Sequence, residues 1–193
     1  MAGGVPYKFV SGCWAEGVIA AENAVKYILG EKNDLMANLS SAIKGEVERV
    51  FAPFFREDGV KSVEMEERLQ KIMDEYAGGV SRYYEMNEHE LFLALNKICH
   101  LKTQIKYLVA DDLHELMNCH EVIDRIDIAE VLIHHLLYRK ETRWPAYQSR
   151  VDYPNRNDRD WLKFINSRVR NNKVEIMERP YQQLVSGDRY IPY

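Results

Sequence analysis

The chain has 193 residues, enough for one ordinary domain and a fraction more. Hydrophobic residues are 46% and charged residues 29%, the balance of a soluble globular chain and not of a disordered tail. Acidic residues number 30 against 26 basic, so the net charge of −4 argues against a chain-wide nucleic-acid surface. No run nears the roughly 18 apolar residues of a membrane span, and a large redox enzyme with its own dinucleotide-binding domain does not fit in this length.

Residues 1–12 are rich in Gly, Pro and Ser and read as a loop. Val10-Ser11-Gly12-Cys13 imitates a lipoprotein cleavage box, but the basic start and apolar run of a signal peptide are missing. Cys13, Cys99 and Cys119 make an odd set without C-x-x-C, which reads as reduced thiols in the cytoplasm. A helix is expected from Cys13 to Leu29, closed by Gly30. Gly17, Ala20, Ala21 and Ala24 form a small-residue stripe on it, and Trp14, Val18, Val25 and Ile28 a larger apolar one. A helix apolar or small around most of its circumference expects burial on several sides.

Asn33 or Asp34 is expected to cap a second helix carrying Leu35, Leu39, Ile43, Val47, Val50 and Phe54, ended near Pro53. A third runs from Ser62 to Tyr76 and stops at Gly78-Gly79. Asn87-Glu88-His89-Glu90 resembles a capping box, with Glu90 reaching back to the cap amide. It opens a fourth helix with Leu91, Leu95, Ile98, Ile105 and Leu108 inward. A short helical turn at 112–117 leads to a fifth, with Val122, Ile126, Ala129, Ile133 and Leu136 at helical spacing. Such stripes are buried most naturally in a helical bundle.

After Arg139 the character changes. Residues 139–173 hold ten Lys/Arg and four Asp/Glu, hence +6 against −10 for the remainder. Phe164–Arg170 and Lys173–Arg179 flank Asn171-Asn172, a hairpin whose register pairs Val169 with Val174 and Arg168 with Glu175.

Three constellations could carry chemistry. The histidines lack metal-ligand spacing; His134 and His135 are adjacent and point apart on a helix, so no metal site is assigned. Arg143, Arg150, Arg156 and Arg159 interleave with Trp144, Tyr147, Tyr153 and Trp161. They form either a binder of anions or a basic layer that pairs with the acidic bundle. The N-terminal loop abuts a helix start, where N–H groups favour anionic or electron-rich groups, yet it is no P-loop and no G-x-G-x-x-G occurs.

Glu141-Thr142-Arg143-Trp144-Pro145, continuing to Arg150-Val151-Asp152-Tyr153-Pro154 with Asp158 and Trp161, resembles a C-terminal motif. That motif belongs to the flavoprotein subunits of the succinate dehydrogenase/fumarate reductase superfamily, most closely the adenylylsulfate reductase α-subunit type. Met73-Asp74-Glu75-Tyr76-Ala77-Gly78-Gly79 is similar to the stretch opening that family's helical domain, and Lys8-Phe9-x-Ser11-Gly12-x-x-Ala15-Glu16-Gly17 to the last piece of its FAD-binding domain. The resemblance implies a C-terminal fragment of an FAD-dependent oxidoreductase acting on an anionic substrate, adenylylsulfate first. It implies FAD in the intact protein and none bound by this chain alone, which would then be inactive in isolation. Lys8, Phe9, Ser11, Gly12 and Glu16 are the implied cofactor-binding residues, and Tyr7 and Arg143 the implied catalytic positions. Where the adenylylsulfate reductase motif has a histidine before Lys-Phe, this sequence has Tyr7, whose phenol titrates about 3.5 units above imidazole.

The expected architecture is mainly α: residues 1–30 a remnant of the FAD-binding domain, 31–140 a helical bundle, 141–193 a basic loop and hairpin tail. Implied partners are the N-terminal FAD-binding portion and an iron–sulfur subunit, with no nucleic acid and no membrane span. Leaving Trp14, Val18, Val25, Ile28 and Leu29 in water forfeits about 1.5–3 kcal/mol each, comparable in sum with the whole stability of a domain. The first helix is therefore expected to dock on the bundle or to pair with a second copy as a homodimer. The competing reading, from another functional class, is a self-sufficient helical module whose basic aromatic tail binds an acidic partner.

Overall fold

The computed structural model describes residues 6–30, 39–171 and 173–181, with side chains in the first helix described for Trp14 and from Gly17 onward. Its elements in order are helix α1 (Pro6–Gly30), α2 (Leu39–Phe51), α3 (Ser62–Tyr76), strand β1 (Glu85–Met86), α4 (Glu88–Gln104), α5 (Leu113–Tyr138), β2 (Ser149–Arg150), a short α6 (Asp158–Trp161), β3 (Lys163–Arg170) and β4 (Lys173–Pro180). The chain divides into two compact units, Met1–Glu48 and Arg49–Tyr193.

In the first unit the helix begins earlier than the expected loop allows. Pro6 suits a first helical position, because its fixed φ is already helical and its missing N–H would have no partner there. Along the helix the backbone N–H and C=O groups pair with one another, at a cost of about 1 kcal/mol for an internal glycine such as Gly12. Every described side chain of α1 is exposed, Trp14 at 74% and Leu29 at 81% among them. Asn33, Asp34 and Leu35, expected at the start of the second helix, lie outside the described residues. That helix ends at Phe51, and Pro53 follows in the turn.

In the second unit, α3, α4 and α5 enclose the core. Met65 of α3, Leu91, Ala94 and Ile98 of α4, and Cys119, Val122, Ile126 and Ile133 of α5 are buried, with Leu108 from the connection between α4 and α5. The core takes one stripe from each helix, as the helical spacing predicts. Arg125 of α5 pairs with Glu66 of α3, and Lys102 of α4 sits between Asp127 (2.7 Å) and Glu130 (2.6 Å) of α5. These ion pairs flank the apolar seam.

α3 has the expected bounds, and Gly78 follows its end with φ +74°. Gly79 is confined by packing: a Cβ there would stand 2.3 Å from the Asp74 Cα. The Asn87 side chain accepts the Glu90 N–H at 2.9 Å. Glu90 does reach back, but its carboxylate takes the Asn87 side-chain amide at 3.0 Å instead of the backbone N–H, and it also pairs with Arg82. The expected break near residue 117 is absent, because Asp112 caps one continuous 26-residue helix by accepting the Glu115 N–H. β1 and β2 pair in parallel, Glu85 with Ser149 and Met86 with Arg150. The antiparallel β3–β4 hairpin has the expected register, including Val169 with Val174 and Arg168 with Glu175.

Candidate functional site

Residues 139–161 form a strap that crosses the end of the helical core, and its chemistry centres on three buried residues. The Glu141 side chain is fully enclosed, with 0% of its surface exposed. One oxygen accepts from Arg139 and from Arg143 Nε (2.8 Å); the other accepts from Arg143 Nη2 (3.0 Å) and the Asn157 backbone N–H (2.9 Å). Arg143 Nη1 completes its engagement on Asp158 at 3.0 Å. Burial opposes the Arg143 charge, but the Glu141 and Asp158 carboxylates outweigh it and hold its pKa above the ordinary arginine value. Such a fork-to-fork pair fixes the guanidinium plane as well as its charge.

Arg150, 3% exposed, is the second anchor. Nε and Nη2 grip the two oxygens of Asp152 at 2.8 and 2.7 Å, and Nη1 donates to the carbonyls of Leu136 and Arg139 at the end of α5. The second Asp152 oxygen also accepts the Glu88 N–H at 2.8 Å, at the start of α4. A single ion pair therefore puts a cation on the C-terminus of one helix and a carboxylate on the N-terminus of another, the favourable sign at both dipole ends. Burial raises the Asp152 pKa, but the hydrogen bonds from Arg150 and Glu88 outweigh it and hold the carboxyl below the ordinary range. Thr142, also buried, donates its hydroxyl toward the Tyr153 carbonyl (2.9 Å) and accepts the Arg150 N–H (2.9 Å).

Two of the interleaved aromatics carry cations on their rings: Arg139 and Lys163 on Trp161, Arg150 and Lys140 on Tyr153. The expected pairing of a basic layer with the acidic bundle is realised chiefly by Lys140 and Glu88. Arg139, Arg143 and Arg150 use carboxylates of the strap itself: Glu141 stands two residues from both Arg139 and Arg143 and Asp152 two from Arg150, while Asp158 meets Arg143 from further along the chain. The Arg150–Asp152 pair closes within a turn, where the Tyr153 N–H bonds the Arg150 carbonyl at 3.0 Å. That i, i+2 charge alternation is the signal that could have marked Glu141 and Asp152 as anchors from the sequence; Thr142 carried none.

Arg143 is thus the one implied site residue whose side chain can be placed, and it lies within this network. Tyr7, Lys8, Phe9, Ser11, Gly12 and Glu16 are on α1, in the other unit, and their side chains lie outside the described residues. Their backbone is helical, which commits the N–H of Ser11 and Gly12 to carbonyls one turn back and leaves free only those of the first turn. On backbone alone this segment offers a helix N-terminus, whose first-turn N–H groups suit anionic or electron-rich groups. Among the described residues no group of three or more His, Cys, Asp or Glu could hold a metal ion. His120 Nε2 lies 2.8 Å from the Val50 carbonyl, and Cys119 is buried against the Val109 carbonyl. Among the described residues no helix is long and apolar enough to cross a membrane.

Comparison with known proteins supplies the context. Residues 66–186 match the family described as fumarate reductase flavoprotein C-term. Subunit alpha of adenylylsulfate reductase from Megalodesulfovibrio gigas is 29% identical over 197 aligned positions, covering 94% of this chain and 30% of that protein. The structure of adenylylsulfate reductase from the hyperthermophilic Archaeoglobus fulgidus superposes with a TM-score of 0.85 at 35% identity, covering 94% of this chain and 31% of that one. The quinol fumarate reductase FrdA of E. coli shares the fold at 17% identity, with a TM-score of 0.66 over 81% of this chain. The chain spans about a third of the length of the relatives it matches. With the Arg–carboxylate strap, α4, α5 and all but the first turn of α3 lying inside the matched residues, the chain belongs to the fumarate reductase flavoprotein C-terminal family.

Proposed function

We propose that this chain serves as the C-terminal helical portion of an FAD-dependent oxidoreductase of the adenylylsulfate reductase α-subunit type. The observation that carries the reading is the 35% identity to an adenylylsulfate reductase over 94% of the chain, at a TM-score of 0.85. FAD, when held by the assembled protein, supplies the electron transfer. The substrate in this reading is anionic, adenylylsulfate first. Residues 1–30 belong with the FAD-binding portion, with Lys8, Phe9, Ser11, Gly12 and Glu16 on the cofactor side and Tyr7 toward the substrate. Residues 31–140 form the bundle and 141–193 the basic tail. An iron–sulfur subunit completes the electron path, and the assembly is cytoplasmic.

Within this chain, Glu141 and Asp158 orient Arg143 and keep it charged over the whole physiological range. A guanidinium so held is preorganised to meet an anion without reorganising. In this reading FAD binding and catalysis belong to the assembled protein and not to this chain alone.

The test replaces the matching third of the M. gigas subunit with this chain and measures bound flavin by its visible absorbance. Flavin retained near one per polypeptide supports the reading; a folded hybrid without flavin contradicts it. Tight stoichiometric binding of FAD to the chain alone contradicts the division of labour.

A further inference from the structure

Two turns meet on one face of the second unit, and both hold the backbone where side chains rarely allow it. Tyr83 and Tyr84 have φ of +53° and +62°, and Ala146 in the facing turn has φ +71°. Non-glycine residues are uncommon in this region, and clusters of them accompany functional surfaces. The conformation is fixed by Tyr83 N–H to Val80 carbonyl (3.1 Å), Tyr84 N–H to Gly79 carbonyl (3.1 Å), Ser149 N–H to Tyr84 carbonyl (3.0 Å) and Ala146 N–H to Ser149 Oγ (3.3 Å). This backbone turns aromatic rings outward: Tyr83 is 82% and Tyr147 72% exposed, with Trp144 half exposed beside them. The Tyr84 and Tyr147 rings lie 6.3 Å apart. Tyr147 also borders a cavity of about 390 Å³ whose apolar walls include Met73, Met86, Leu132 and Leu136, with Gln70, Asp74 and Gln148 at its polar edge.

We propose that this aromatic knuckle and its cavity are the surface on which the flavin-binding portion of the assembled flavoprotein docks. The inference rests on the function proposed above. Exposed tyrosine and tryptophan around an apolar recess, edged by polar groups, is the composition of an interface centre. The strap motif and the Met73–Gly79 motif, far apart in sequence, converge here through the pairing of Glu85 with Ser149. In the M. gigas relative roughly 70% of the protein lies outside the match, and a portion of that size has surface enough to cover them. A second copy is a poorer occupant, because a two-fold pair would bring two patches of the same acidic sign, each holding Asp74 and Glu85, into one interface.

Hydroxyl-radical footprinting read by mass spectrometry tests the docking, on the full 193-residue chain and on the flavin-loaded hybrid. Oxidation of Tyr83 and Tyr147 is expected to fall at least about fivefold in the hybrid, since interface centres exclude water. Phe92 of α4 and Tyr107, half exposed elsewhere, serve as references that keep their rates. Unchanged oxidation of Tyr83 and Tyr147 in a hybrid that carries flavin overturns the docking surface while leaving the proposed function standing. A hybrid that folds but loads no flavin removes both. Slow oxidation already in the chain alone, together with a dimer in sedimentation, overturns the inference in favour of a second copy.

Discussion

The helical core and the strap are held by opposite physics. Between α3, α4 and α5 the interior is methyl and thioether groups, with ion pairs only at the edges. In the strap the interior is ionic: Glu141 and Arg150 are as enclosed as many core leucines, and each is satisfied by several hydrogen bonds. Among the described residues no buried side-chain polar atom lacks a partner. An apolar core tolerates exchange of one hydrocarbon for another, whereas a buried ionic cluster fails when any member is removed. Residues that mark the family motif therefore read first as a clamp on the ends of α4 and α5.

Removing the hub should give the largest effect. Glu141→Ala leaves Arg139 and Arg143 partly buried without their carboxylate, and urea unfolding should show a loss of about 3–5 kcal/mol. Ile126→Ala, a fully buried position in α5, should cost about 2–5 kcal/mol through lost contacts and a residual cavity. The pair separates the two regions by rescue: Ile126→Leu should recover most of the core loss, while Glu141→Gln, isosteric but uncharged, should recover little. Thr142→Val keeps the shape and strands the Arg150 N–H; about 1–3 kcal/mol is expected from denaturant midpoints.

Acid should distinguish the regions by position. Burial opposes the Asp158 charge too, but Arg156 and Arg143 outweigh it, and like Asp152 its carboxyl titrates below the ordinary range. A carboxyl whose pKa is depressed on folding contributes stability above its unfolded pKa and loses it as pH falls through the folded value. The strap contacts should hold down to about pH 4 and weaken only below it. Trp161 fluorescence, followed in a Trp14→Phe, Trp144→Phe chain, should change there before far-ultraviolet helix signal does. The smallest effect belongs to α1: Val25→Ser, at an exposed position, should shift the chain's stability by less than about 0.5 kcal/mol. If α1 pairs with a second copy, the same substitution should instead lower a dimer fraction seen in sedimentation.

The core was legible because it depends on spacing. α3 ends where Gly78-Gly79 said it would, and the hairpin register followed from its two asparagines; Asn171 has φ +51°, as a tight turn demands. Asp112 was less legible, since a cap and an interior aspartate look alike until the following helix is known to continue. The start of α1 differs from the expected loop because Pro6 suits a first helical turn, and Gly and Ser weaken a helix without excluding one. Arg143 and Arg150 stood out as cations, but their destinations did not: residues two apart meet here at bends and a turn, which a segment holding Pro145 and Pro154 does not announce. Tyr83 and Ala146 gave no sign of left-handed backbone, because neither is Gly or Asn and the contacts that hold them come from distant residues.

Native-state hydrogen exchange on the full chain, with and without Glu141→Gln, tests the clamp most directly. The amides of Ser149 and Val151, which bond Tyr84 and Met86, and of Thr142, which bonds Asn155, report on the strap. They should exchange at least about tenfold faster in the variant, equivalent to about 1.4 kcal/mol, while interior amides of α4 and α5 keep their protection. Equal acceleration in strap and helices, or none in either, would contradict the account.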